Sequence, residues 1–310
     1  MREAVDLMKV AFRELSAGRA VVPHRTGMEM PGGEGRALLM PVYMPESGQF
    51  AVKLVSLFRN NPAKGLPYIQ ALLILLDATS GEPLALMDGG YLTALRTGAA
   101  TGLATDFLAR KGASTLMIFG AGAQSRLQIE GVCAVRTIQH AFIYDPNRER
   151  AERFREEMKE RVPCEIRVAR SPGAAAEADI ICTATTSEQP VLDDSDINPG
   201  VHINAVGAYR PEMCEIPAQT VARALVVVDS RPSTMSEAGD IIQAVAAGNF
   251  RSEDIHAEIG EIVAGTRTGR RSEAEITLFK SVGNASQDLV TAGRALENAQ
   301  RLGLGTTLTL

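Results

Sequence analysis

Residues 114–125 read STLMIFGAGAQS, an apolar run that ends at Phe119 and opens directly into Gly120, Ala121, Gly122, Ala123 and Gln124. In such a strand–glycine–helix passage the first glycine permits a tight turn and the second lets a pyrophosphate approach the backbone. The helix start then offers unpaired N–H groups and the positive end of its dipole. Ser125 stands where a third glycine is usual and is small enough to keep helix and sheet close. A plain strand-to-helix turn has the same composition, so the context decides. The next apolar run, HAFIYD at 140–145, ends on Asp145 at the spacing where a carboxylate accepts hydrogen bonds from the adenosine ribose. The pattern therefore predicts dinucleotide binding. A carboxylate there repels a 2′-phosphate, which favours NAD(H). Arg148 can stack on adenine or pair with a phosphate, which leaves NADP(H) open, or it is an ordinary solvated helix residue.

Outward from the loop, the rhythm after Gly112 is strand, helix, strand. STLMIFG is followed by a helical stretch from Ala123 to Val135, then HAFIYD, a second helix from Arg148 to Glu160, and the runs CEIRVA, DIICTAT, HINAVG and LVVVD. Buried runs without alternation, interleaved with helices, predict a parallel sheet covered on both faces. The N-terminal third differs. Val5, Met8, Phe12 and Leu15 make one helical stripe that ends at Gly18. The runs ALLMPVYM, FAVKLVSLF, YIQALLILLD and PLALMD then predict an antiparallel meander with Ser80-Gly81 at a hairpin tip. A helix is expected from about Gly90 to Arg110, with Ala and Gly crowding its middle so that another backbone can come close. The fold class is thus α/β, a Rossmann-type parallel-sheet domain at 112–283 beside a smaller α+β substrate and dimerisation domain at 1–111, completed by a helical segment at 284–310.

Composition narrows the function. A chain of 310 residues with 45% hydrophobic and 22% charged residues has enough apolar surface for substantial cores. A net charge of −5 argues against a nucleic-acid partner. No apolar run reaches the ~18 residues of a membrane span, and the N-terminus is amphipathic rather than signal-like, so no membrane partner and a cytoplasmic location are expected. Cys133, Cys164, Cys182 and Cys214 form no CxxC, and the four histidines form no HExxH or helical pair, so neither a disulfide framework nor a metal site is predicted.

Cations then stand out against apolar or small neighbours: Arg25 in VVPHRTG, Lys53 within FAVKLVSLF and Arg96 in YLTALRTGAATG. A buried lysine requires an anion, and a guanidinium can hold a carboxylate through two parallel hydrogen bonds. The alternative for each is a structural salt bridge or a side chain that snorkels to solvent.

The chain resembles the ornithine cyclodeaminase/mu-crystallin family over nearly its whole length. The similarity is carried by VPHRT at 22–26, KLVSLFRNNPAKGLP at 53–67, ALMDGGYLTALRTGAATGLA at 85–104, FGAGAQ at 119–124, TATTS at 183–187, HINAVGAYRPEMCEI at 202–216 and SVGNASQDL at 281–289. This resemblance implies a homodimer. It implies that Arg25, Lys53 and Arg96 surround the carboxylate of an amino or imino acid. It further implies that Thr97, the 120–124 loop, Asp145, the Ala184-Thr185 turn and Val206 line the dinucleotide. Relatives usually carry an additional lead segment before the first helix, so the natural start is expected upstream of Met1.

Family members divide by chemistry. Cyclodeaminases resemble one another in a glutamate just before the MPV-type strand and an aspartate after the NAVG-like strand. Here those stretches read Ala37-Leu38-Leu39-Met40 and Gly207-Ala208-Tyr209-Arg210, with neither carboxylate. The similarity to mu-crystallin-like ketimine reductases therefore implies a nicotinamide-dependent reductase of small imino acids, or an amino-acid dehydrogenase. Lys53 would relay a proton to the imine nitrogen, with Tyr209 as a second donor candidate. The rivals are redox-neutral cyclisation of ornithine or lysine on bound NAD, and a non-catalytic binding protein.

Overall fold

The computed structural model describes residues 1–308. In chain order it contains helix α1 (Arg2–Ser16), strands β1 (Thr26–Glu29), β2 (Gly35–Met44), β3 (Gln49–Phe58), β4 (Ile69–Asp77) and β5 (Pro83–Asp88), then helix α2 (Gly89–Leu108). The alternating part follows: β6 (Thr115–Phe119), α3 (Ala123–Cys133), β7 (His140–Tyr144), α4 (Arg148–Met158), β8 (Glu165–Val168), β9 (Ile180–Thr183) and β10 (His202–Ala205). The remainder comprises α5 (Ala218–Arg223), β11 (Leu225–Val228), α6 (Arg231–Glu237), α7 (Gly239–Ala246), β12 (Ala257–Glu258), α8 (Ile259–Val263), β13 (Thr277–Lys280) and α9 (Ala285–Leu302). Among the described residues no helix is long and apolar enough to cross a membrane.

The chain forms two compact units, one of Met1–Ser16 with Thr97–Gly283, the other of Ala17–Arg96 with the segment from Asn284 onward. The sequence pattern places the first boundary at 111/112. The chain instead passes between units at Ser16, within α2 and at Gly283. The first helix goes with the parallel sheet because its stripe has a partner there. Val5, Met8 and Phe12 are buried, Phe12 meets the Phe279 ring edge-on at 6.4 Å, and a Cβ on Gly260 of α8 would fall 1.9 Å from the Phe12 carbonyl oxygen.

In the first unit eight strands, all parallel, run in the order β12-β11-β13-β10-β9-β6-β7-β8. Its central strands are buried on both faces, one packed around Met117, Phe119, Ile203 and Leu278 and the other around Leu116, Ile118, Ile143 and Phe154. The strand order reverses between β6 and β9, which creates a crevice at their carboxyl ends. The small residues of α2 serve the close approach their composition suggests. A Cβ on Gly98 would lie 2.1 Å from the Leu127 carbonyl oxygen, and one on Gly131 2.0 Å from that of Gly98, so α2 and α3 cross with their backbones in contact. The four cysteines are free thiols, with the Cys133 and Cys164 sulfurs 3.9 Å apart.

The second unit is an antiparallel meander in the order β1-β2-β3-β4-β5. The β4–β5 hairpin tip falls where Ser80-Gly81 predicts it. Asp77 Oδ1 accepts from the backbone nitrogens of Thr79 and Ser80, each at 2.8 Å, and Gly81 takes a positive φ of 76°. Strand β1 carries no periodic signal, and the sequence does not anticipate it; all four of its residues are exposed. Register fixes the two faces. Met40, Lys53 and Leu73 lie opposite one another on the inner face, which α9 covers, while Leu39, Leu54 and Leu72 share the outer face.

Candidate functional site

In the parallel-sheet unit the carboxyl ends of the strands form a staircase linked by single backbone hydrogen bonds. Gly120 N donates to Tyr144 O, Ala184 N to Phe119 O, Val206 N to Thr183 O and Ser281 N to Ala205 O, all within 2.8–3.1 Å. This ladder brings the 120–124 loop, the Ala184-Thr185 turn and Val206 to one edge. Gly120 has φ +92°, and a Cβ there would meet the Ala184 carbonyl oxygen at 2.9 Å, so both its conformation and its neighbour demand glycine. An added Cβ on Gly122, by contrast, would have no heavy atom within 4 Å.

The start of α3 fits an anion. Its N-cap, Gly122, provides no side-chain hydrogen bond, so the first-turn amides of the helix are left free to donate to one. Ser125 Oγ donates to the Gly120 carbonyl, a use of the third position that packing alone does not suggest. Arg126, which the sequence pattern does not single out, donates to the Gly122 carbonyl at 2.7 Å and pairs with Glu157, which fixes the loop from outside.

Asp145 is buried at the tip of β7. Its Oδ2 accepts from Ala121 N at 2.9 Å and its Oδ1 from Asn147 N at 3.0 Å, so the carboxylate braces the glycine loop. The cation beside it is Arg150, at 3.6 Å; Arg148 reaches instead to Glu152 at 3.4 Å on the exposed face of α4. Thr97 is buried at the point where α2 enters this unit. Tyr209 is half-buried, with the Arg210 guanidinium 5.8 Å from its ring centre.

The meander unit gathers the cations. Lys53 lies on the inner face of β3, 1% exposed, and its Nζ donates to Asp288 Oδ2 at 2.7 Å. Arg96 donates through Nε to Asp288 Oδ1 at 3.2 Å and through Nη1 to Gln287 Oε1 at 3.1 Å. Thr93 Oγ1 lies 3.5 Å from Lys53 Nζ. One carboxylate thus joins an ammonium and a guanidinium in a site closed to water. Asp288 sits in the first turn of α9, where the helix dipole favours a negative charge. An Asn284–Gln287 capping box holds that turn in place. The neighbours of Lys53 from the sheet are apolar: Met40 on one side and Leu73 on the other.

Burial pulls the Lys53 pKa from 10.5 down to about 8. Asp288 opposes that fall, while the charges of Arg96 and Arg25 add to it, which places half-buried Arg25 within electrostatic reach of the same ammonium. The structure therefore brings Lys53 and Arg96 onto one carboxylate, with Arg25 within reach of the Lys53 charge. It also supplies an anion that the sequence reading does not assign. The SVGNASQDL motif contains Asp288, and its readable signal is an acid one turn into a capped helix.

The family model described as ornithine cyclodeaminase/mu-crystallin family matches residues 1–302. A Delta(1)-pyrroline-2-carboxylate reductase of Bacillus cereus is 40% identical over 98% of this chain and 94% of its own. The structure of Thermococcus litoralis Delta(1)-pyrroline-2-carboxylate reductase in complex with NADH and L-proline is 44% identical, with a TM-score of 0.97 over 99% of this chain and 96% of that one. An archaeal alanine dehydrogenase dimer with bound NAD is 36% identical, with a TM-score of 0.93 over 99% and 94% of the two chains. Full-length agreement in sequence and in fold places the chain in the ornithine cyclodeaminase/mu-crystallin family.

Proposed function

We propose that the chain is an NAD(P)H-dependent reductase of small imino acids, with pyrroline-2-carboxylate as the first substrate to test. The observation that carries this reading is the full-length similarity, at 44% identity, to an enzyme whose structure holds NADH and L-proline. In the reduction, the C=N carbon receives a hydride and the nitrogen a proton. The dinucleotide, when bound, supplies the hydride. Gly120, Ala121, Gly122, Ala123 and Gln124 would hold its phosphates, with Asp145 at the adenosine end and Thr97, Ala184, Thr185 and Val206 along the rest.

The chain's own residues supply charge and orientation. Lys53 and Arg96 bring two positive charges to the one carboxylate of Asp288, so a substrate carboxylate enters a cluster that is still cationic. Arg25 and Arg96 grip that carboxylate, which turns a collision into a positioned transfer. With its pKa near 8, Lys53 is mostly protonated at neutral pH yet parts with its proton more readily than a solvated lysine, which suits a donor to the imine nitrogen. Tyr209 is the second candidate. The sheet offers Lys53 apolar neighbours in place of the carboxylate that cyclodeaminases place before the MPV-type strand, and this favours reduction over deamination.

The outer face of the meander supports a homodimer. Leu39, Leu54, Leu72, Ile74 and Leu86 are all exposed there, a contiguous apolar surface of the kind that marks a protein interface.

The test is to mix the protein with NADH or NADPH and pyrroline-2-carboxylate, piperideine-2-carboxylate, or pyruvate plus ammonia, and to follow absorbance at the nicotinamide band. Oxidation with a cyclic imine is expected. No oxidation with any of the three, or ammonia release from ornithine without net cofactor change, would refute the reductase.

A further inference from the structure

We infer that Glu215 is a positioning residue that locks together the two strand-end turns on which the nicotinamide half of the dinucleotide rests, an inference that depends on the dinucleotide reading above. Glu215 is fully buried, and no sequence feature assigns it a role. Its Oε1 accepts from Thr185 N at 2.6 Å, and its Oε2 accepts from Gly207 N at 2.7 Å, Ala208 N at 3.1 Å and Thr183 Oγ1 at 2.9 Å. One carboxylate thereby ties the turn after β9 to the turn after β10.

The surroundings are built for that contact. A Cβ on Gly207 would fall 2.3 Å from Glu215 Oε1 and 2.4 Å from the Thr185 carbonyl oxygen, so only glycine lets the carboxylate seat between the turns. All four partners donate, and a carboxylate with both oxygens free to accept meets them without conflict. Glu215 is itself held from behind. Asp240 Oδ1 accepts from the backbone nitrogens of Glu215 at 2.6 Å and Ile216 at 3.0 Å, and Lys280 Nζ lies 2.8 Å from Asp240 Oδ2, both charges sealed from water.

The lock acts on one end of the crevice. All four donors to the Glu215 carboxylate come from the turns after β9 and β10 or from the end of β9. Asp145, at the adenosine end, is instead bonded to Ala121 and Asn147. An amide in place of the carboxylate turns an N–H toward backbone N–H groups and frees one turn. Its effect should fall on ligands that reach the turns and spare those that stop at the ribose.

The experiment compares NADH with ADP-ribose, which lacks the nicotinamide, by calorimetric titration of the wild type, Glu215→Gln and Thr183→Val. Loss of a charge-assisted contact predicts about tenfold weaker NADH binding by Glu215→Gln and about threefold by Thr183→Val, with ADP-ribose affinity changed by less than about twofold in each. A residue that only stabilises the fold would lower the melting temperature without splitting the two ligands. Equal weakening of both ligands, or no weakening of NADH, overturns the lock. Should Glu215→Gln fail to fold, Thr183→Val carries the same comparison, and the same outcomes support or overturn the lock. A wild type that binds neither ligand overturns the dinucleotide reading and the lock together, whereas a wild type that binds both, with unsplit losses in the variants, overturns the lock alone.

Discussion

Replacing Asp288 by Asn keeps the shape of the buried cluster and removes the carboxylate that pairs with both Lys53 and Arg96. The Lys53 ammonium already titrates near 8 instead of 10.5, so its burial costs about 3 kcal/mol at neutral pH even with Asp288 in place. Without that carboxylate the ammonium becomes still less favourable, but lysine can shed its proton. At pH 7 the penalty cannot exceed about 5 kcal/mol, the free energy of deprotonating an ordinary lysine there. The lysine thus adds about 1–2 kcal/mol of destabilisation. Arg96 cannot deprotonate, and the weakening of its charge-assisted bond brings the expected total to about 2–3 kcal/mol.

The pH dependence is the sharper test of the same substitution. Because the folded pKa of Lys53 lies below the unfolded one, the unfolded chain binds more protons between about 8 and 10.5, and this group makes stability rise with pH across that window. In Asp288→Asn the rise begins at lower pH. The stability gap between variant and wild type, measured by thermal melts from pH 6.5 to 9.5, should therefore narrow as pH increases. The alkaline limb of kcat for imine reduction should move down by at least about one pH unit. A gap that stays constant or widens with pH, together with an unmoved limb, would refute the electrostatic account of the cluster.

Lys53→Met should reduce turnover by about a hundredfold or more while leaving the NADH dissociation constant unchanged; turnover within tenfold of wild type would transfer the donor role to Tyr209, which Tyr209→Phe then tests. Arg96→Ala should raise KM for the imino acid and lower turnover far more than it weakens NADH binding, and equal losses in steady-state kinetics and in NADH titration would contradict its grip on the carboxylate. Leu54→Asp on the outer face of the meander should convert a dimer into monomers in sedimentation velocity; an unchanged sedimentation coefficient would remove this face from the interface.

The parts of the molecule legible in the sequence are those whose signal is local. The 120–124 loop, the interleaved strands and the β4–β5 turn each announce themselves within a dozen or so residues. Lys53 is legible because a charge in an apolar strand violates the pattern around it. Asp288 is not, because its partner is 235 positions away and an acid early in a helix is unremarkable by itself. Arg150 rather than Arg148 faces Asp145 because helix phase at the start of α4 decides which arginine reaches back to the end of β7, and spacing alone does not fix that phase. The glycines of α2 announce a close neighbour without naming it; Leu127 and Gly131 of α3 become its partners only in the folded chain. The first helix falls on the other side of the 111/112 line from the one its sequence position suggests, because an apolar stripe shows that a helix packs, not what it packs against.

The bond between Lys53 and Asp288 spans 235 positions of chain, and this separation bears on how the protein is made. During synthesis at ~5–20 residues per second, the meander leaves the ribosome some tens of seconds before α9 exists to cover it. Throughout that interval Leu38, Met40, Leu73 and Leu75 line a bare sheet face with an ammonium at its centre. The last helix to emerge is thus the one that closes the inner face of the meander. A nascent chain released before Asp288 would leave this apolar face and its ammonium uncovered.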